Sequence, residues 1–267
     1  MKRILITGAG GLIGRTLRTG LHGRYPALRL LDITAQSSAR AGEELLTADI
    51  TDFDAMRAAL KDIDCVVHLA GVPRENTWEA ILPNNIVGTY NVFEAARLNG
   101  VKRLIYASSN HAVGYYRVSR KTGVDVLPRP DGRYGVSKVF GEALGRMYAD
   151  KYGLSVACLR IGSFRERPED ARQLSTWVSP RDTVQLVRRC IDAPDYHYLI
   201  AYGVSANTRN RWLNPAAGFL GYQPQDNAED FAAELIAKTP APRDPASEFH
   251  GGPFCALEFA GDMSKID

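Results

Sequence analysis

The chain has 267 residues, with 33 Lys and Arg against 30 Asp and Glu, a formal charge of +3. Hydrophobic residues are 45 % and charged residues 24 %, which excludes disorder as the main state, because enough apolar material is present to offset chain entropy. The small, scattered basic excess gives no argument for nucleic acid, and no apolar run approaches the ~18 residues of a membrane span.

The opening MKRILIT resembles the start of a signal peptide, but its apolar stretch stops at Gly8, short of the ~7–15 residues such a core needs. A cytoplasmic protein is expected. The four cysteines stand far apart without a CxxC and the five histidines without an HxxxH, so neither a disulfide framework nor a metal site is indicated.

In chain order, near-continuous apolar runs at 3–7, 28–32, 44–47, 65–70, 103–108 and 155–161 read as strands buried on both faces. Helical patterns at 11–22, 52–60, 78–99 and 134–152 separate them. This alternation predicts an α/β fold, a Rossmann-type doubly wound parallel sheet. Asn99-Gly100 carries a helix-stop signal. The pattern loosens after Ile161: 162–179 reads as a loop, Ser179-Pro180-Arg181-Asp182 starts a helix, 198–204 is a strand and 228–238 a helix. Residues 1–161 are thus expected to form the dinucleotide-binding core, and 162–267 a small C-terminal substrate-binding cap interleaved with it.

TGAGGLIG (7–14) joins the first strand to the first helix. A GxGxxG frame from Gly8 fails at Ile13, whereas Gly8, Gly11 and Gly14 fit the turn, with Leu12 and Ile13 between them. Such a turn lets backbone N–H groups approach a pyrophosphate at a helix N-terminus. Asp32 ends the second strand, 18 residues after Gly14. A carboxylate there accepts from the ribose hydroxyls and repels a 2′-phosphate, which favours NAD over NADP. Arg15 weakens that preference slightly. Asp49-Ile50 reads equally as an adenine contact or as a turn.

Tyr134 is the only tyrosine followed by Lys at i+4, Lys138, and the pair shares one helix face. The strand before it ends in Ser108-Ser109, and strand alternation alone does not decide which serine faces the crevice. An alcohol losing hydride must also lose a proton. A phenol near pKa ~10 becomes a usable base when a lysine cation favours the phenolate, and a serine hydroxyl can hold the reacting oxygen.

With TGAGGLIG, Asp32, HLAG (68–71), NIVGTYN (85–91), YASSNH (106–111) and YGVSK (134–138) in this order, the chain resembles the extended branch of the short-chain dehydrogenase/reductase superfamily over roughly residues 1–165. Through ASSNHAVGYY (107–116), RPDGRYGVSK (129–138), RIGS (160–163), RQLSTW (172–177) and YGVSANT (202–208), it is similar to the uronate dehydrogenases of that branch. The resemblance implies NAD-dependent oxidation of the anomeric C1 of glucuronate or galacturonate to an aldarolactone. It implies a cofactor site of Gly8, Gly11, Leu12, Ile13, Gly14, Asp32, Asp49, Ile50, Leu69, Ala70, Gly71, Asn85, Tyr134 and Lys138. Tyr134 then takes the hydroxyl proton, Lys138 depresses its pKa, Ser109 steadies the oxygen, Asn110, His111 and Ser163 bind sugar hydroxyls, and Arg172 grips the carboxylate.

Without the resemblance, Arg165, Arg167 and Arg172 are equal candidates for that last role, and His111 reads as a structural histidine. The resemblance implies a sugar-contacting hydroxyl in the loop after Gly71, where Pro73 offers neither a hydroxyl nor an N–H. The competing readings are a sugar-nucleotide epimerase or reductase, against which the 129 residues after Lys138 are few, and a non-catalytic NAD-binding regulator. A homo-oligomer is expected by analogy.

Overall fold

A computed structural model describes residues 2–237 and 244–266. β1 (Arg3–Thr7), β2 (Ala27–Asp32), β3 (Glu43–Thr47), β4 (Cys65–His68), β5 (Arg103–Ser109) and β6 (Ser155–Ile161) are joined by β9 (Tyr198–Gly203) in one seven-stranded sheet of order β3-β2-β1-β4-β5-β6-β9. Every pairing is parallel. Successive strand residues feed opposite cores. Leu5, Val66, Leu104 and Val156 meet the helices α2 (Phe53–Ala59), α4 (Gly88–Leu98) and α5 (Arg133–Tyr152) on one face. Ile4, Ile6, Val67 and Ile105 meet α1 (Leu12–Leu21) and α7 (Pro180–Asp192) on the other. Both faces are covered, which is why the strands read as unbroken apolar runs.

The order reverses at β1, so β2 and β4 leave it in opposite directions and a crevice opens at the carboxyl ends of β1 and β4. His68 lies beneath it, between Thr7 Oγ1 at 2.8 Å and Thr89 Oγ1 at 3.3 Å. Burial pushes this imidazole down to about 3, so it is a neutral core group at pH 7.

Three expectations need correction. The helix 78–99 is three pieces: α3 (Trp78–Ile81), a π-helical stretch Leu82–Val87, then α4. Pro83 brings no N–H to the ladder, and the bond that closes the stretch runs five residues back, from Gly88 N to Pro83 O. The segment 162–179 is no simple loop. β7 (Ser163–Phe164) pairs with β8 (Trp177–Val178), and α6 (Gln173–Thr176) lies between them. Two-residue strands are too short to show any periodicity. The helix at 228–238 begins as a 3₁₀ turn, Ala228–Phe231, and continues as α8 (Ala232–Ile236); Lys238 lies outside the described residues. The signal at Ser179 is present as read: its hydroxyl accepts from Asp182 N at 3.1 Å, with Pro180 at the first helical position.

Candidate functional site

The glycine turn sits at the crevice. Gly8 takes φ +71°, and a Cβ on it would lie 2.8 Å from Ala70 N, against the neighbouring β4 loop. A Cβ on Gly14 would collide with the Gly8 carbonyl. Among the described residues no side chain caps the first turn of α1, whose flanking residue is Gly11, so that turn can receive an anion. Leu12 is exposed beside it, and Ile13 packs partly into the core below. Asp32 is tied to this turn: Oδ2 accepts from Gly10 N at 2.8 Å and Oδ1 from Thr34 N at 3.0 Å. Arg15 turns its guanidinium onto the Gly10 carbonyl.

On the other side, Leu69 N and Ala70 N donate to Thr7 O and Oγ1 at 3.2 and 3.3 Å. Gly71 takes φ +140° with the Asn85 amide against it. Buried Asn85 accepts from Val72 N at 2.7 Å and donates to Val72 O at 3.0 Å and Ser137 Oγ at 3.1 Å, latching this loop to α5. Asp49 Oδ1 accepts from Thr51 N at 2.8 Å, and the Ile50 side chain is buried in the core.

β5 separates the two serines by alternation. Ser108 donates to Glu142 Oε1 at 2.6 Å, and Glu142 is held bidentately by buried Arg160 at 2.9 and 2.9 Å. Ser109 faces the crevice, accepting from His111 N at 3.2 Å, and lies near enough to the Tyr134 phenol to favour its ionised form. Tyr134 and Lys138 come from the first turns of α5, and the Lys138 Nζ lies 5.3 Å from the Tyr134 ring centroid and 5.1 Å from that of Tyr106. Lys138 is 7 % exposed, and among the described residues no carboxylate pairs with it. Burial pushes it down to about 8.

The expected depression of Tyr134 by Lys138 is not what the protein chain alone produces. Burial dominates and pushes the phenol up to about 12, Ser109 pulls it back, and Asp131 adds to the rise. A buried phenolate is costly in low dielectric unless positive charge compensates it.

Arg172, Ser163 and Asn110 form one hydrogen-bonded group. Arg172 Nε and Nη2 donate to His250 O at 3.1 and 2.8 Å, and Nη1 to Ser163 Oγ at 3.3 Å. In the orientation that satisfies its neighbours, the Asn110 amide donates to Ile161 O at 3.1 Å and accepts from Arg172 Nη2 at 3.1 Å. No carboxylate pairs with this guanidinium among the described residues, and burial lowers its pKa while Asp170 and Asp131 raise it. Arg165 and Arg167 instead pair with Glu169 and Glu234 on the surface.

Three neighbours lay outside the sequence reading. Glu75 accepts from Arg133 N and Tyr134 N at 3.0 and 2.8 Å, capping the helix that carries the phenol. Asp131 accepts from His111 Nδ1 at 2.6 Å. Phe254 stacks on His111 with centroids 4.1 Å apart and meets the Tyr134 ring edge-on at 6.3 Å. Their partners are 20 to 143 residues away in sequence, so only a match to RPDG around Asp131 gave any hint. Among the described residues no group of His, Cys, Asp and Glu could hold a metal ion, and no helix is long and apolar enough to cross a membrane.

The arrangement suits a dinucleotide: a cradle that a Cβ would close, a carboxylate at the end of β2 and, among the described residues, a helix start without a side-chain cap and a buried ammonium without a carboxylate partner. Residues 4–180 match the family described as NAD dependent epimerase/dehydratase. The chain is 44 % identical over 256 residues to uronate dehydrogenase of Agrobacterium fabrum, covering 95 % of this chain and 97 % of that one. It is 40 % identical over 254 residues to an NAD-dependent glucose-6-phosphate dehydrogenase of Haloferax volcanii, covering 86 % and 96 %. A solved structure of a uronate dehydrogenase mutant from Agrobacterium tumefaciens complexed with NAD superposes with TM-score 0.91 at 44 % identity, covering 96 % and 97 %.

Proposed function

Because the chain belongs to the NAD dependent epimerase/dehydratase family, we propose that it is an NAD-dependent uronate dehydrogenase, oxidising C1 of a cyclic hexuronate to the aldarolactone. Relatives of similar identity are named for different aldoses, so the choice of substrate rests on the site. The observation that carries it is Arg172: a half-buried guanidinium that has no carboxylate partner among the described residues and is in hydrogen-bond contact with Ser163 and Asn110. Its planar fork matches a carboxylate.

When bound, NAD supplies the acceptor for the C1 hydride. Gly8, Gly11, Leu12, Ile13 and Gly14 hold its pyrophosphate, Asp32 the adenosine ribose, and Lys138 the nicotinamide ribose. Asp49 and Ile50 border the adenine, Leu69, Ala70 and Gly71 form the opposite wall, and Asn85 holds that wall in place. Tyr134 takes the C1 hydroxyl proton while Ser109 holds the same oxygen. Asn110, His111 and Ser163 orient the sugar hydroxyls, and Arg172 fixes C6.

The purified chain mixed with NAD and galacturonate or glucuronate is expected to produce reduced nicotinamide, with much less from neutral aldoses and much less with NADP, which Asp32 repels. Folded protein that gives no signal with either hexuronate rejects this reading. Tightly retained NAD without net reduction points to an epimerase instead.

An oligomeric enzyme of the cytoplasm fits the same reading. Tyr90 and Leu98 of α4 and Val136, Met147 and Tyr152 of α5 are exposed, which supports pairing of copies through these helices, and all four cysteines are free and buried. Light scattering and fractionation of the native protein check both points.

A further inference from the structure

Asp131 ends the loop before α5 and is 5 % exposed. Its Oδ2 accepts from His111 Nδ1 at 2.6 Å, and among the described residues its Oδ1 has no hydrogen-bond partner. The protein makes room for this carboxylate with glycines. A Cβ on Gly114 or on Gly251 would collide with Oδ2, and one on Gly135 would lie 3.2 Å from Oδ1. A buried carboxylate with an orphan oxygen is costly, and its one strong bond goes to a ring in the active site. That ring is held on its other side by the stack on Phe254 and stands edge-on to Tyr134 at 5.8 Å.

An ionised carboxylate can only accept, so Nδ1 must carry the hydrogen. In a neutral imidazole, Nε2 then has a lone pair and no hydrogen. Among the described residues Nε2 makes no hydrogen bond.

We infer that Asp131 is a positioning residue which fixes the His111 tautomer, so that Nε2 meets the substrate as an acceptor for one sugar hydroxyl. This rests on the reading of the site as a uronate site. It adds a selection rule: the hydroxyl facing His111 must donate, and a substrate lacking it leaves an unmet acceptor.

The test uses full-length protein with NAD. Imidazole nitrogen NMR of the unmodified protein is expected to find the His111 hydrogen on Nδ1; a hydrogen on Nε2 overturns the inference. Asp131→Asn is expected to leave NAD affinity unchanged and to raise KM for hexuronate about tenfold or more, with a smaller fall in kcat. With monodeoxy hexuronates, one position should cost the unmodified enzyme about tenfold in kcat/KM, and that penalty should largely vanish in Asp131→Asn. If the penalty is the same in both proteins, Asp131 only fills space and the inference fails. Should the variant not fold, the NMR measurement decides alone. It needs no substrate, so it also judges Asp131 where no hexuronate is oxidised, an outcome that overturns the functional reading instead.

Discussion

Tyr134→Phe is expected to lower kcat about 10³-fold while NAD still binds. The variant keeps the ring, its edge contact with His111 at 5.8 Å and its contact with Phe254 at 6.3 Å, and loses only the oxygen that receives the proton. Binding of NAD, followed by fluorescence or calorimetry, separates lost chemistry from lost structure. Unchanged turnover would remove Tyr134 from its role.

The pH profile carries the same logic further. With the phenol near 12 and the ammonium near 8, the phenolate fraction rises tenfold per pH unit below about 8 while Lys138 stays charged. Log kcat/KM should climb with unit slope. Above about 8, each unit that ionises more phenol also strips more ammonium, and the profile should level. In Lys138→Met it should start lower and keep climbing through pH 8; levelling at the same pH in that variant sinks the pairing of the two groups. Stability should move the other way. Lys138 titrates lower in the folded chain than in the unfolded one, near 10.5. Its buried charge therefore costs stability fully below about 8, and the cost fades as pH rises from 8 to 10.5. Without NAD at pH 7, Lys138→Met should thus melt higher, by several degrees, and the difference should shrink at alkaline pH.

What could be read from the sequence follows from range of interaction. The seven parallel strands, the glycine turn and the Tyr134/Lys138 pair are local patterns, fixed by period, by one turn and by a four-residue spacing. The choice between Ser108 and Ser109 needed Glu142 and Arg160, which meet only once β6 and α5 are packed. Asp131 was in plain view next to Gly132, but its task depends on Gly114 and Gly251 arriving from two other loops. Glu75 was hidden in the loop that carries Pro73, because a helix cap contributed from 58 residues upstream has no local signature. Phe254 belongs to a segment pinned over the site by His250 N to Tyr116 O and Gly251 N to Gly114 O, each 2.9 Å.

Arg172→Ala should reduce kcat/KM for hexuronate about 10²- to 10³-fold, mostly through KM, and affect neutral aldoses far less. Its guanidinium now spends two donors on one backbone carbonyl and a third on Ser163, contacts to neutral groups that leave it without a paired carboxylate among the described residues, Asp170 and Asp131 acting only from a distance. An incoming carboxylate gains from that arrangement, since folding has already drawn the cation partly out of water and the anion supplies the missing partner. Removing the side chain also frees His250 O and Ser163, so some loss with every sugar is expected, and the ratio between charged and neutral substrates is the decisive quantity. Arg172→Lys tests geometry apart from charge: it keeps +1 but cannot present two parallel N–H groups, and it should recover only part of the loss. If uronates and neutral aldoses suffer alike in both variants, the C6 carboxylate is bound elsewhere, and the guanidinium is a strut between His250 and β7.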